Sequence, residues 1–100
     1  MTPAARAARA VLEVFDTGRF ERIRGLVTDD VVDHGTPPGL VPPGPDGYVT
    51  VLRRPTDVLQ LRHEVHDVVA DGDRVAIRAT AHGVHRTRAL PAPVLPGVPR

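Results

Sequence analysis

Alternating β-branched and polar residues predict a β-hairpin in the second half of the chain, across residues 61–85. Two runs rich in valine, isoleucine and alanine flank Asp71-Gly72. Asp-Gly supplies the positive φ angles of a tight primed turn, and such a turn fixes the register of the strands it joins. Counting outward from the turn places Val68 opposite Val75, so one face of the hairpin is predicted to be apolar.

A β-bulge is needed to keep that face apolar along its whole length. Strict alternation would bring Glu64 onto the face, whereas one extra residue at His66-Asp67 sends Glu64 to the other side, directly across from Arg78. With the bulge, the apolar face is predicted to comprise Leu61, His63, Val65, Val68, Val75, Ile77, Ala79 and Ala81.

Apolar residues spaced three and four apart predict three helices before the hairpin, at residues 2–15, 19–27 and 45–59. A threonine followed by proline is a typical start for the first of them, and Asp16-Thr17-Gly18 is a stop signal at its end. Pro55 lies inside the third. Because an interior proline removes a backbone hydrogen bond, we expect a kink or a new start there.

The remaining segments complete an α+β fold. A short strand is predicted at Val31 to His34, followed by a loop with five prolines from Gly35 to Pro45. Residues 1–60 therefore hold the helices and the first short strand, residues 61–85 the hairpin, and residues 86–100 a proline-rich tail. We expect a single domain with a curved antiparallel sheet of about three strands packed on three N-terminal helices.

Composition excludes several functional classes. The 100 residues carry a net charge of +1, and all 13 basic residues are arginine, in pairs too sparse to follow a nucleic-acid backbone. There is no cysteine, which excludes disulfides and thiolate chemistry. No apolar run approaches the roughly 20 residues of a membrane span. We expect a cytoplasmic protein that binds neither nucleic acid nor membrane.

The predicted core is small. Only three aromatic residues and one methionine are present, so valine, leucine, isoleucine and alanine must supply the burial. The last strand of the predicted sheet would also leave an unpaired apolar edge. Both features lead us to expect marginal stability or a homodimer.

The order of these elements resembles that of the SnoaL-like polyketide cyclases, which belong to the nuclear transport factor 2-like superfamily of cone-shaped α+β barrels. The resemblance covers nearly the whole chain, 1–100. It is carried by Val31-Val32-Asp33-His34, Pro37-Pro38-Gly39, Gly44-Pro45-Asp46-Gly47, the segment from Val68 to Val75, and Gly83-Val84-His85.

This resemblance implies a pocket for a small apolar molecule. It implies a cofactor-independent polyketide (ester) cyclase, isomerase or hydrolase that acts on an apolar carbonyl compound by acid/base chemistry. His34 in the pocket and His85 at its rim are the predicted catalytic groups. The alternatives are a His34 that is hydrogen-bonded to a loop carbonyl and a His85 that faces away from the cavity. Similar proteins continue after the Gly-x-His segment into further strands that carry an acid/base aspartate. The alternative is therefore a non-catalytic ligand-binding or dimerisation module, or a truncated inactive relative.

Six further residues are predicted to line the pocket: His63, Tyr48, Asp33, Val65, Ile77 and Ala79. An inward His63 would be costly among apolar neighbours unless it met a ligand or a polar group, and a hydrogen-bonded core histidine is the alternative. Asp33 could instead cap a turn or pair with an arginine, and Tyr48 could belong to the core.

No metal site or cofactor is predicted. The spacings His63-x-x-His66 and His82-x-x-His85 place each pair on opposite faces of a strand, and no third ligand is evident. No glycine-rich loop links a strand to a helix, as nucleotide cofactors would require.

Overall fold

The computed structural model describes residues 1–86, which form an α+β fold. The elements in chain order are α1 (Pro3–Thr17), a 3₁₀ helix (Phe20–Gly25), α2 (Pro45–Val58), β1 (Leu59–Asp71) and β2 (Arg74–His85). The predicted fold class is thereby confirmed, with a 3₁₀ helix as the second of the three helical elements. The tail from residue 87 onward lies outside the described residues.

Helix α1 begins as its sequence predicts and runs two residues beyond the predicted end at residue 15, to Thr17. The hydroxyl of Thr2 accepts a hydrogen bond of 3.1 Å from the backbone N–H of Ala5, and Pro3 occupies the first turn. At the other end Gly18 has a φ of 76° and donates its N–H to the carbonyl of Val14 at 2.8 Å. Glycine adopts this left-handed conformation without steric cost, so the helix stops there.

The core lies among the helical elements. Within residues 1–86 the buried hydrophobic side chains are Ala5, Val14, Phe20, Ile23 and Leu52. The hairpin contributes half-buried residues on one face and exposed residues on the other. The core is as small as the composition suggested.

The two strands form an antiparallel pair with a β-bulge at the predicted place. Val65 pairs with Ala79 and the next pair joins Asp67 to Arg78, so His66 is the extra residue. Paired residues of an antiparallel sheet point to the same side. One side of the hairpin faces the helices, and we call it the inner face. It carries Leu59, Leu61, His63, Val65, Val68, Ala70, Val75, Ile77, Ala79, Ala81, Gly83 and His85.

The predicted register was wrong by two residues. The turn contains only Gly72, with a φ of 61°, and Asp73, so Val75 pairs with Ala70 and not with Val68. Because the shift is even, every side chain keeps its predicted face. The residue across from Arg78 changes, however: Asp67 replaces Glu64 and accepts a hydrogen bond of 2.7 Å from Arg78 Nε.

The segment Val31 to His34 is not a strand, contrary to the prediction, and the sheet in the described part of the chain has two strands. Local hydrogen bonds satisfy its backbone instead. The N–H of Val31 donates to Thr28 at 3.2 Å, and its carbonyl accepts from Gly44 at 3.2 Å. The second bond joins the two ends of the segment that contains the proline-rich loop. The backbone groups of Val31 therefore take part in turns and not in a strand.

Helix α2 does not restart at Pro55 but continues to Val58, so Thr56 and Asp57 lie in its last turn. Pro55 is only three residues from the helix end, and its missing N–H removes one bond of the ladder. The hydroxyl of Thr56 donates to the carbonyl of Arg53 at 2.8 Å, which adds a local contact in this turn. Strand β1 follows immediately at Leu59.

None of the helices in residues 1–86 is long and apolar enough to cross a membrane.

Candidate active site

A carboxylate and an imidazole from distant parts of the chain meet at the inner face. Nδ1 of His63 lies 2.8 Å from Oδ1 of Asp16, and the backbone N–H of His63 donates to Oδ2 of Asp16 at 2.9 Å. The two side chains are 13% and 25% exposed, so water competes weakly for these bonds. Asp16 therefore fixes both the backbone and the ring of His63.

The local structure explains why these two residues meet. Asp16 lies in the last turn of α1, just before Gly18 ends the helix. β1 pairs with β2 along one edge, and the N–H of His63 points away from β2 towards α1. An unpaired strand edge needs hydrogen-bond acceptors, and the Asp16 carboxylate supplies one.

The contact leaves one nitrogen of the His63 ring available. An ionised carboxylate only accepts hydrogen bonds, so in the neutral ring the hydrogen lies on Nδ1 and Nε2 carries the lone pair. Within residues 1–86 Nε2 has no hydrogen-bond partner, and no side-chain nitrogen or oxygen there is both buried and unpartnered. Nε2 therefore reaches the surface, where it can accept a proton.

An aromatic neighbour holds the imidazole from the helix side. The ring centroids of Phe15 and His63 are 5.3 Å apart at an interplanar angle of 47°. This tilted arrangement is favourable for aromatic rings, and it restricts the ring of His63 together with the Asp16 contact. The imidazole is thus oriented before any ligand binds.

Five of the predicted site residues share the inner face: His63, Val65, Ile77, Ala79 and His85. Val65 and Ala79 form the pair next to His63 and its partner Ala81. His85 pairs with Leu59, about 13 Å from His63 along the strand at about 3.3 Å per residue. A ligand on this face can therefore contact His63, Val65 and Ala79 together, whereas His85 lies towards the end of the sheet.

Tyr48 and Asp33 lie elsewhere, in a cavity that we call the loop cavity. It has a volume of about 260 Å³ and is formed by residues of the segment 31–44, which includes most of the proline-rich loop, and by two residues of α2. Its lining residues are Val31, Val32, Asp33, Thr36, Pro37, Pro38, Gly39, Val41, Pro42, Pro43, Gly44, Tyr48 and Val51. The predicted pocket is therefore divided between two places in the fold.

The polar groups of the loop cavity influence one another. The Asp33 carboxylate accepts hydrogen bonds from the Gly35 N–H at 2.9 Å and from the Thr36 hydroxyl at 3.2 Å, so it caps this turn. Burial raises the pKa of Tyr48 above its ordinary value, and the negative charge of Asp33 raises it further. Tyr48 therefore remains a neutral phenol at physiological pH.

His34 is exposed, does not line the loop cavity and makes no hydrogen bond to another residue of the described chain. The structure therefore brings neither His34 nor His85 to the Asp16–His63 pair.

On the outer side of the hairpin, His66 Nε2 lies 2.7 Å from the Thr80 hydroxyl, and His82 Nε2 lies 3.4 Å from Glu64. No group of three histidine, aspartate or glutamate side chains in residues 1–86 is placed to hold a metal ion.

Sequence reasoning did not identify Asp16, which it treated only as part of the stop signal of α1. The one available clue was indirect: an inward His63 among apolar residues requires a polar neighbour. Nothing in the sequence indicates which of the acidic residues that neighbour is, since Asp16 and His63 are 47 positions apart.

An α+β fold with N-terminal helices and a carboxylate-bound histidine on the sheet is compatible with the family that the sequence resembles. The sequence profile of the SnoaL-like polyketide cyclases matches residues 5–96. The chain belongs to this family, within the nuclear transport factor 2-like superfamily. Comparisons with curated proteins and with solved structures gave no significant match.

Proposed function

We propose that this protein binds a small, largely apolar carbonyl compound on the inner face and acts on it as a cofactor-independent cyclase or isomerase. The observation that carries the proposal is the double contact between Asp16 and His63, which orients the imidazole and leaves Nε2 unpartnered among the described residues. A carboxylate that binds Nδ1–H in this way also stabilises the imidazolium formed when Nε2 takes a proton.

The proposed reaction begins with proton abstraction beside the carbonyl group. Nε2 of His63 takes the proton from the α-carbon, the C–H bond breaks, and its electron pair forms the enolate. In an isomerisation the imidazolium returns the proton to another carbon of the same conjugated system. In a cyclisation the enolate carbon attacks a second carbonyl, a C–C bond forms, and the imidazolium protonates the resulting alkoxide.

The surroundings of His63 support an apolar ligand. Val65 and Ile77 are half-buried on the inner face, and Ala79 is small and exposed beside them. A ligand that covers these side chains removes apolar surface from water, and it also excludes water from the proton transfer. His85, on the same face, is proposed to bind a polar end of the ligand. His34 remains a proposed catalytic group on the family resemblance.

Hydrogen–deuterium exchange at the α-carbon of small β-keto esters and diketones tests the proposal, because NMR detects proton abstraction whatever the final product. We expect exchange above the buffer rate with the 100-residue chain. The His63→Gln variant should lose it, and Asp16→Asn should reduce it. His82→Gln is the matched control, since His82 lies on the other face of the hairpin.

Undiminished exchange with His63→Gln would refute the assignment of the base. The variants His34→Gln and His85→Gln belong to the same series. If His63→Gln has no effect and His34→Gln abolishes exchange, the catalytic group lies in the loop and the inner face is not the active site.

A non-catalytic role as a ligand-binding or dimerisation module is the second candidate, and the open edge of β2 favours it. In the described residues β2 pairs only with β1, and Ala79 and Ala81 are exposed on the inner face. An unpaired edge beside small apolar residues favours pairing with another chain, so we propose a homodimer.

Analytical ultracentrifugation across a concentration series should show a monomer–dimer equilibrium, and replacing Ala79 by Arg should shift it to monomer. A monomer at all concentrations would contradict this role.

A further inference from the structure

We propose that the loop cavity is a second binding site, for a small organic ammonium ion whose charged nitrogen is attached to an apolar body. This site is separate from the proposed site of proton transfer at His63, and its residues belong to the segment 31–44 and to α2. The argument concerns the walls of the cavity, its hydrogen-bonding groups and the charge within it.

The walls of the loop cavity are apolar and contain few donors. Valines and four prolines make most of the lining: Val31, Val32, Val41, Val51, Pro37, Pro38, Pro42 and Pro43. Proline has no backbone N–H but keeps its carbonyl, so a proline-rich loop is poor in donors and retains its acceptors. Such a lining suits a ligand that donates hydrogen bonds from one end and is apolar at the other.

The charge in the cavity is negative, and the described part of the chain gives it no counter-ion. No arginine or histidine of residues 1–86 lies within ion-pair distance of Asp33. Each oxygen of its carboxylate accepts one hydrogen bond, from Gly35 or from Thr36, and an ionised carboxylate oxygen has room for more. A half-buried carboxylate in an apolar cavity is stabilised by a cation, and no group of the described chain supplies one.

Tyr48 adds two favourable features for a cation. Tyr48 is one of the lining residues of the cavity, and the face of an aromatic ring attracts an ammonium group. Its hydroxyl oxygen is a further acceptor. Asp33 and Tyr48 together thus offer a carboxylate, a phenol oxygen and a π surface to one small ligand.

The loop is held in place on α2, so the cavity exists without a ligand. The hydrogen bond from Gly44 to Val31 closes the loop, and Gly44 has a φ of 92°, which favours glycine. Gly47, in the first turn of α2, lies so close to the Pro42 carbonyl that a Cβ at this position would overlap it. A preformed site loses little conformational entropy when it binds.

Three probes of similar shape and different charge test the proposal: cyclohexylammonium, cyclohexanol and cyclohexanecarboxylate. Tyr48 is the only tyrosine and the chain has no tryptophan, so intrinsic fluorescence reports on this cavity directly. We expect the ammonium ion to bind about tenfold more tightly than the alcohol, as a charge-assisted hydrogen bond would give, and the carboxylate not to bind. Equal binding of ammonium and alcohol, or no binding of the ammonium ion, would overturn the proposal.

The Asp33→Asn variant should remove the preference for ammonium over alcohol, because its amide oxygen can still accept the Gly35 N–H while the charge is lost. Asp57→Asn is the control, since Asp57 is exposed and lies in another part of α2. His63→Gln should leave ammonium binding unchanged, which separates this site from the proton-transfer site. A preference that persists in Asp33→Asn would refute the role of the carboxylate.

A measurement on the unmodified protein avoids any dependence on the folding of the variant. A cation beside Tyr48 favours the phenolate, so saturating cyclohexylguanidinium, which keeps its charge at the alkaline pH where a primary ammonium ion loses its proton, should shift the absorbance titration of Tyr48 to lower pH than cyclohexanol does. An identical titration with both probes would overturn the proposal.

Discussion

Both carboxylate oxygens of Asp16 are bound by a single residue, His63, through its backbone N–H at 2.9 Å and its ring nitrogen at 2.8 Å. One contact therefore does two things. It attaches the end of α1 to the edge of β1 that faces away from β2, and it sets the orientation of the imidazole. Stability and the proposed chemistry depend on the same carboxylate.

Replacing Asp16 by Asn should lower the free energy of unfolding by about 1 kcal/mol, because an amide can accept only one of the two hydrogen bonds from His63. The partial exposure of both side chains keeps the cost at this level. Urea denaturation measures it. Asp57→Asn removes an exposed carboxylate of the same type and should change stability by only a few tenths of a kcal/mol. Equal effects of the two substitutions would show that the Asp16 contact contributes nothing to stability.

Deletion of His66 should preserve the fold. His66 is the extra residue of the bulge, so without it Val65 and Val68 both stay on the inner face and β1 becomes regular. Deletion of Glu64 removes a paired residue instead. The strand can then keep its pairing by moving Val65 to the outer face and His66 to the inner one, or by moving His63 to the outer face and Arg62 to the inner one, which breaks the contact with Asp16.

We expect the Glu64 deletion to be less stable than the His66 deletion by about 1–2 kcal/mol, the cost of exposing a half-buried valine. Thermal unfolding followed by circular dichroism compares the two proteins. A larger loss of stability in the His66 deletion would mean that the bulge itself, through the twist it gives the hairpin, is needed for the fold.

Stability should fall at alkaline pH because of Tyr48. Its pKa is raised in the folded protein by burial and by Asp33, whereas in the unfolded chain the phenol ionises near 10.0. The folded state therefore binds more protons above pH 10, so the stabilisation is complete below pH 10 and is lost as the pH rises through the folded-state pKa. Tyr48→Phe should remove this slope.

The tyrosinate absorbance of the native and the urea-unfolded chain provides the direct measurement, since Tyr48 is the only tyrosine. The native titration should lie at higher pH. Coincident titrations would show that the phenol is not buried in the folded protein.

Gly47→Ala should destabilise the protein, because the added Cβ would overlap the Pro42 carbonyl and displace the proline-rich loop from α2. Gly25→Ala is a matched substitution at a position where a Cβ meets nothing within 4 Å. It should be neutral or slightly stabilising, because alanine restricts the unfolded chain. Urea denaturation of both variants gives the comparison, and equal stability would mean that the loop does not pack against Gly47.

Local signals explain which parts of the fold the sequence predicted. The cap at Thr2, the stop at Gly18 and the turn at Gly72 each depend on residues within four positions of one another, and all three are present in the structure. The bulge at His66 was predicted because a two-residue period is strict enough to reveal one extra residue.

Features that depend on distant residues were not predictable in this way. Val31-Val32 has strand propensity, but no neighbouring strand reaches it in the described chain. The carbonyl of Val31 instead accepts a hydrogen bond from the N–H of Gly44. Pro55 was expected to kink the helix or to start a new one, yet α2 continues to Val58, because so close to the helix end the proline removes only one hydrogen bond. In the candidate site, His63 could be predicted from the alternation of the hairpin, whereas Asp16 required knowledge of how α1 docks.

Helix α2 ends at Val58 and β1 begins at Leu59, without an intervening loop residue. The chain therefore changes from helix to strand at a single residue, Leu59, whose φ of −127° and ψ of 138° are those of an extended strand. The end of α2, the helix that carries Tyr48, thus fixes where β1 begins, four residues before His63.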